Sequence, residues 1–549
     1  MGDEISDEAR GRLRSRGSRL GVADWRIASA LGVLVVAALA LRIPYFTDAL
    51  LGDELSTYVV VHGNSLGRMM QLIHSDQEVT PPLYFLLASL TQHLGDSSDW
   101  LRAAPMLSGL AAIPLTYALG RRTVGRPAAL VGAALVALSP FLIYYSTEAR
   151  NYALSMGICL GSTLAMVRAI DEEKRGWWVL YAVLSAAAMY THYTNVFLLA
   201  AQAGWALIAR PAARRPLLLA NAGAALLFLP WLPGYLEDQR SPGADVIGTL
   251  SPFSFAGVHV DLFRLLVGTP YDTIRHIPGD LGLAAIALGV VIGACAGVSR
   301  ARHARRWVLD SNTVLIVVLA CSTVAGAIVY SALSVDVYAA RNMINVWPGW
   351  ALLLGTVLTS GRRWPALAAS ILVVAGFAIG AVKSLDSNQQ RPDYDAAARY
   401  LTSVSSARDA IVDAPAAAPG AKESLEVALA DLGDGDEPIL RVGIATLADS
   451  EAIRAPGGPG QFVKPPPPIP SGQEIAKQAL AEAPDGNIFL VTGGSLDFDT
   501  LLSYVRGLHV PLAGFLDALP ASYRPLSVHH FPGLLGGASV YELGKDPAG

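Results

Sequence analysis

RIASALGVLVVAALALRIPYFTDALLGDEL, residues 26–55, carries the apolar run Ile27–Ile43 and, ten residues beyond it, the acidic pair Asp53-Glu54. The run is close to the ~20 residues that a membrane span needs. It has no convincing cleavage site, so it reads as a signal anchor. Carboxylates at the lip of a bilayer cost desolvation free energy unless something uses them. The pair is therefore expected to serve chemistry, with the remaining chain built around it.

Composition agrees with a membrane protein. Of 549 residues, 52% are hydrophobic and 16% charged, and the mean hydropathy is +0.41. Apolar runs recur at 27–45, 101–119, 128–146, 152–170, 177–194, 196–210, 216–234, 281–299, 313–333, 343–359 and 364–383, eleven candidate spans. Pro81–Leu94 is apolar but short, and it ends in Gln92-His93. The positive-inside rule decides its place. With eleven spans and an inside N-terminus, 21 Lys and Arg residues fall in inner segments and nine in outer loops or outer span ends. Counting Pro81–Leu94 as a span would reverse most of those clusters. It is expected instead as a helix lying along the outer surface. Trp25, Trp100, Trp177, Trp178, Trp231, Trp307 and Trp364 lie near span ends, as an interfacial belt would.

This frame predicts a cytoplasmic Arg-rich N-terminus (1–26), a transmembrane domain (27–385) with a first outer loop at 46–100, and an extracytoplasmic tail (386–549). The tail holds 21 acidic and 11 basic residues, a net of −10, against +6 for the preceding 385. Strand-like runs Ala410–Val412, Ile488–Thr492 and Ala538–Leu543 alternate with helical Tyr394–Val404 and Glu474–Ala483, predicting a small α/β domain. Lys464–Pro470 reads as a stiff surface loop. Cys159, Cys295 and Cys321 all fall in apolar runs, which leaves no disulfide framework. The lack of an Asn-x-Ser/Thr sequon favours a bacterial origin, and hence a plasma-membrane location, while 35 Arg against six Lys suggests a GC-rich genome.

Sorted by side, outer acids near span ends are Asp53, Glu54, Glu148 and Asp336. Outer cations there are Arg102, Arg150 and Arg341, and His192 and Tyr193 close span five. Sugar transfer from a lipid-linked donor uses such a set. Nucleotide sugars are absent outside the membrane, an acceptor hydroxyl needs a base, and a departing phosphate needs cations, for which arginine is suited.

The series Asp53-Glu54, TPPLYFLLASL (80–90), DWLRAAPMLSGL (99–110), LGRR (119–122) and SPFLIYYSTEARNYALS (139–155) resembles bacterial glycosyltransferases of the GT-C superfamily. Within it the chain is similar to the clan of protein O-mannosyltransferases and the lipid A aminoarabinose transferase. Further echoes are YTHYTN (190–195), AARNMINVWPGWALLLG (339–355) and RPDYDAAARYL (391–401). The resemblance implies a polytopic α-helical GT-C protein that takes sugar from a polyprenyl-phosphate donor to an outer-face lipid, glycan or protein, with inversion. It implies Asp53 as general base with Glu54 beside it, Glu148 as a second acid that orients sugar or acceptor, accompanied by Tyr152, and Arg150 and Arg341 set against donor phosphate. Family members often show Arg-Tyr and a Pro-containing run at that last place, whereas this chain reads Arg341-Asn342.

Plainer roles stand beside these. Asp53 and Glu54 could cap a surface helix at Leu55–His62. Glu148 and Arg150 could form a local ion pair, and Arg341 could be an interfacial anchor. His192 is expected as a hydrogen-bonded interfacial residue or a substrate contact, and Arg102 as packing or a lipid-phosphate ligand. His62, His74, Asp76 and Glu78 fit no strong metal spacing. No cofactor is required; a divalent cation at the acidic pair plus Glu148 is left open. Expected partners are the lipid-linked donor, the acceptor and membrane lipids, and not nucleic acid. A lipid-linked sugar flippase is the competing class. It would want ionisable groups near the bilayer midplane or repeated halves, and the spans show neither. A non-catalytic scaffold for envelope glycans is the third.

Overall fold

The computed structural model describes residues 3–74, 78–95, 97–241, 252–304, 310–414, 423–433, 438–442, 471–508 and 510–545. Asp76 and Lys464–Pro470 lie outside the described residues. Helices occupy most of each of the eleven stretches expected to span, although the one at 177–194 ends at Met189. Seven are long and apolar enough to cross a membrane alone: Trp25–Phe46, Ser98–Thr123, Tyr152–Glu172, Pro211–Asp238, Arg275–Arg300, Ser311–Leu333 and Arg363–Lys383. An eighth crossing is formed if Arg126–Leu138 and Pro140–Ser146, bent by 59°, count as one span. Arg175–Met189, Asn195–Ala209 and Trp347–Thr359 are shorter helices of 15, 15 and 13 residues.

The bend has a local cause. Pro140 brings no N–H to continue the preceding helix, and the Ser139 side chain caps the new one by accepting from the Leu142 amide. The turn delivers Tyr144, Tyr145 and Ser146 to one end of the bundle. Close packing elsewhere depends on small residues. A Cβ on Gly355 would stand 2.4 Å from the Ala128 carbonyl oxygen. Just below the site, Ser155 donates to Asn195 Oδ1 at 2.8 Å and accepts from Asn345 Nδ2 at 3.1 Å, tying three segments together.

Among its described residues the first loop holds three short α-helices, Asp53–Val61, Leu66–Ile73 and Leu83–Thr91, besides short 3-10 turns. The last, expected as a surface helix, has nine residues, about 14 Å at 1.5 Å per residue, far short of a ~30 Å hydrocarbon core. Tyr84, Phe85 and Ala88 are buried against the bundle, and Tyr84 donates to the Leu101 carbonyl.

Among the described residues the tail is an α/β domain on a five-stranded sheet: β1 (Ala410–Ala414), β2 (Ile439–Arg441), β3 (Ile488–Gly493), β4 (Tyr523–Phe531) and β5 (Ala538–Lys545). The order is β2-β1-β3-β5-β4, with β1 parallel to both neighbours and β5 antiparallel to both of its own. Tyr394–Val404 and Ser424–Asp431 pack on one face against Ile411, Phe489 and Val540. Gly472–Glu482 and Pro511–Ala518 cover the other, over Val412, Leu490 and Leu543. The sequence reading found β1, β3 and β5 but not the short β2 or β4. β4 is a largely exposed edge strand interrupted by Pro525, so it lacks the alternating apolar signal. The tail and the first loop lie on the same face of the bundle. Ser98 Oγ donates to Asp431 Oδ2 at 2.7 Å, and Val427 joins the apolar cluster of Tyr58, Met69 and Phe85.

Candidate active site

Asp53 and Glu54 open the Asp53–Val61 helix after Gly52, whose φ of 58° is in the region that favours glycine. Successive helical residues point about 100° apart, so the two carboxylates part company. Glu54 turns inward and is fully buried. Its oxygens take a two-pronged bond from Arg102 at 2.8 Å each, an ion pair with Arg391 Nε at 2.8 Å, and bonds from the Ala149 amide at 2.7 Å and the Leu51 amide at 3.2 Å. Burial alone would raise its pKa; Arg102 and Arg391 outweigh that and hold it below the usual carboxylate range.

Two expectations change here. Glu54 was expected beside Asp53 in catalysis, but its oxygens are filled by two guanidinium groups and two backbone amides. Arg102, expected as packing or a lipid-phosphate ligand, loses the second role, because its five N–H donors go to Glu54 and to the Phe46, Asp48 and Ala49 carbonyls. Both are organisers of the first loop. Arg391, which the sequence reading left without a role, completes this cluster. It is 2% exposed, donates to the Thr147 carbonyl at 3.1 Å and lies 4.8 Å over the Tyr144 ring.

The cluster fixes the segment between Ser146 and Tyr152. Glu54 accepts from the Ala149 amide and Thr57 donates to its carbonyl, so both peptide groups of that residue are pinned. Glu148 and Arg150 project from either side. Arg150 is held by Glu78 at 2.8 and 3.3 Å and by Thr80 at 3.0 Å. Its ion-pair partner is thus Glu78 rather than Glu148. Glu148 is 4% exposed, and its Oε2 is buried without a hydrogen-bond partner. Burial, reinforced by Asp53 and Glu54, pushes its pKa up to about 8 against the pull of Arg391 and Arg341. It is therefore mainly protonated at neutral pH.

Asp53 is the half-exposed member of the acidic group, with 39% of its side chain accessible. Its Oδ2 is 3.4 Å from Arg341 Nη1 and accepts from the Tyr152 hydroxyl at 3.4 Å. Burial would raise its pKa, but Arg341, Arg150 and Tyr152 together hold it below the ordinary aspartate range. Arg341 sits on the turn Ala340–Val346, its guanidinium 5.9 Å over the Tyr152 ring. His192 steadies that turn. Its Nδ1 accepts from the Thr194 amide at 3.3 Å, so the proton is on Nε2, which donates to Asn342 Oδ1 at 3.1 Å. Tyr144, Tyr145, Tyr152 and Tyr271 form an aromatic wall with ring centroids 5.3–5.5 Å apart. Tyr271 was not foreseen, because its loop carries no signal beyond a Pro-Tyr pair.

Among the described residues no group of three or more His, Cys, Asp and Glu side chains is placed to hold a metal, and arginines occupy the oxygens of Glu54. His62 instead bonds Gln92, and His74 bonds Glu237.

The sequence profile of the family described as dolichyl-phosphate-mannose-protein mannosyltransferase matches residues 79–233. No curated protein sequence matches the chain significantly. Among solved structures the chain is similar to ArnT from Cupriavidus metallidurans bound to undecaprenyl phosphate. The identity is 14% and the TM-score 0.51, over 93% of this chain and 97% of that one. The apo state of the same protein gives 14% identity and a TM-score of 0.52, over 94% and 98%. Residues 79–233 thus carry the sequence pattern of that family, and the chain as a whole shares the fold of ArnT.

Proposed function

We propose that this chain transfers a sugar from a polyprenyl-phosphate donor to a hydroxyl acceptor at the extracytoplasmic face of a bacterial plasma membrane, with Asp53 as general base. The observation that carries this reading is the division of labour between adjacent carboxylates. Glu54 is buried and saturated, while Asp53 is half-exposed and touches a cation and a tyrosine.

The acceptor oxygen attacks the anomeric carbon as its proton passes to Asp53. The bond from that carbon to the phosphate oxygen breaks, and its electron pair leaves with the polyprenyl phosphate. A single displacement from the opposite side inverts the anomeric centre. Arg341 neutralises charge that grows on the phosphate. In the free protein Arg341 also weakens Asp53 as a base; donor phosphate that draws Arg341 toward itself raises the basicity of Asp53 when a sugar is present. Glu148, carrying its proton, donates a hydrogen bond to the sugar or acceptor. Support for a lipid-phosphate donor comes from ArnT, which has this fold and binds undecaprenyl phosphate.

Arg341→Gln is expected to lower transfer about 10²-fold, the scale of losing one charge-stabilising donor. Removing the cation also lets Asp53 rise toward the ordinary aspartate range, so the acid limb of the pH–rate profile moves to higher pH. An unchanged limb would separate Arg341 from Asp53.

Glu148 must keep its proton, so activity is expected to fall as pH rises through about 8. Glu148→Gln, a permanent donor, should keep activity and lose that alkaline limb. An alkaline limb that persists in Glu148→Gln contradicts the assignment. Mass spectrometry of envelope glycans and glycoproteins, with and without the gene, names the sugar and acceptor. An identical glycan profile despite loss of the protein counts against the enzyme.

A further inference from the structure

Away from Asp53, the helices Ala103–Thr123, Tyr152–Glu172 and Arg175–Met189 leave an apolar groove of about 590 Å³. Its walls are dominated by small and aliphatic residues such as Ala111, Ala118, Gly161, Ala165 and Leu184. From Gly157 to Arg168 it runs eleven residues along one helix, about 16 Å at 1.5 Å per residue, roughly half of a ~30 Å hydrocarbon core. That is the depth of one leaflet.

The end farther from Asp53 carries a charge. Arg168 is the one ionisable residue lining the groove. Its guanidinium lies 4.5 Å over the Trp177 ring, and its Nε is buried without a hydrogen-bond partner. Among the described residues no carboxylate is within ion-pair distance of it. The acids nearest in sequence are engaged elsewhere. Glu172 is taken by Arg122 at 2.7 Å, Trp177 at 2.9 Å and Lys174 at 3.4 Å, and Asp171 by Arg122 at 3.1 Å. An arginine at the edge of hydrocarbon is costly without a counter-charge. At the same surface the exposed cations Lys174 and Arg175 stand beside exposed Glu173, and Lys174 pairs with Glu172, so Arg168 is the charge that faces the groove.

We propose that this groove binds one anionic phospholipid of the leaflet opposite the Asp53 site, its phosphate on Arg168 and an acyl chain along the small residues. A zwitterionic lipid would fill the groove equally but bring no net charge to the arginine. The proposal stands independently of sugar transfer.

Titration of delipidated, purified full-length protein in detergent, read by native mass spectrometry, tests it. The probes are phosphatidylglycerol, phosphatidylcholine with the same acyl chains, and polyprenyl phosphate. One phosphatidylglycerol is expected to bind about tenfold more tightly than phosphatidylcholine, the scale of one charge-assisted contact. Arg168→Gln should abolish the preference and Arg168→Lys restore most of it. Ala111→Phe, at an exposed groove position, should reduce binding of both phospholipids. Equal binding by the unaltered protein, or an undiminished preference in Arg168→Gln, overturns the proposal. Polyprenyl phosphate displacing phosphatidylglycerol in an Arg168-dependent way also overturns it and assigns the groove to the donor tail.

Discussion

Sugar transfer by Asp53→Asn should fall by about 10²–10⁴-fold, the contribution usual for a positioned general base. The substitution keeps the shape of the side chain and removes its ability to accept a proton. Its structural consequences should be small, because Asp53 is half-exposed and its two contacts, to Arg341 and Tyr152, are both 3.4 Å. Thermal stability in detergent should therefore change little. Donor binding should persist or strengthen, since Arg341 is released from a competing carboxylate. The measurement is initial transfer rate beside a donor-binding isotherm on the same preparation. Wild-type turnover in Asp53→Asn removes Asp53 from the chemistry.

Glu54→Gln should instead act on the fold. It leaves Arg102 and Arg391 buried with one neutral amide between them, and breaking a buried ion pair from one side costs about 3–5 kcal/mol. The introduced amide would also present donors where Arg102 and the Ala149 amide already donate, so the 147–151 segment should shift together with Glu148 and Arg150. The expected result is poor recovery of folded protein, or a large fall in thermal midpoint with activity lost alongside. Arg391→Ala should show the same pattern more weakly, since Arg102 still pairs with Glu54. A Glu54→Gln protein with normal thermal stability and no transfer would return Glu54 to a direct catalytic role.

These two variants show where sequence reasoning reached and where it stopped. Asp53 and Glu54 are neighbours in the first outer loop and look alike in the sequence. What separates them is the helix that begins at Asp53, whose 3.6-residue turn sends one carboxylate to the cleft and the other into the protein. Arg102 looked like a cation at a span end because its sequence neighbours do not reveal the carbonyls of Phe46, Asp48 and Ala49 that surround it. Arg391 was beyond reach for a related reason. Its bond to Asp48 bridges 343 positions, and no periodicity or spacing encodes a contact of that range. Arg150 was read against Glu148, its neighbour but one, whereas Glu78 holds it. By contrast, the gathering of Asp53, Glu148, Arg150, Tyr152, His192 and Arg341 at one end of the bundle was legible, because hydropathy places span ends and polar residues at those ends must share a face. The α/β character of the tail was legible for the same kind of reason. β1 and β3 begin with the buried apolar runs Ala410–Val412 and Ile488–Val491, and only the more exposed or very short strands escaped.

Bond-making is expected at the Asp53 face of the membrane. The most direct test places purified protein in liposomes in a single orientation. Polyprenyl-phosphate sugar and a hydroxyl acceptor are added only to the face on which Asp53 lies, and both products are followed in one turnover. The account predicts free polyprenyl phosphate released in step with glycosylated acceptor of inverted anomeric configuration, with both lost in Asp53→Asn. Intact lipid-linked sugar appearing in the opposite leaflet, with no polyprenyl phosphate released, would contradict it and make the chain a carrier.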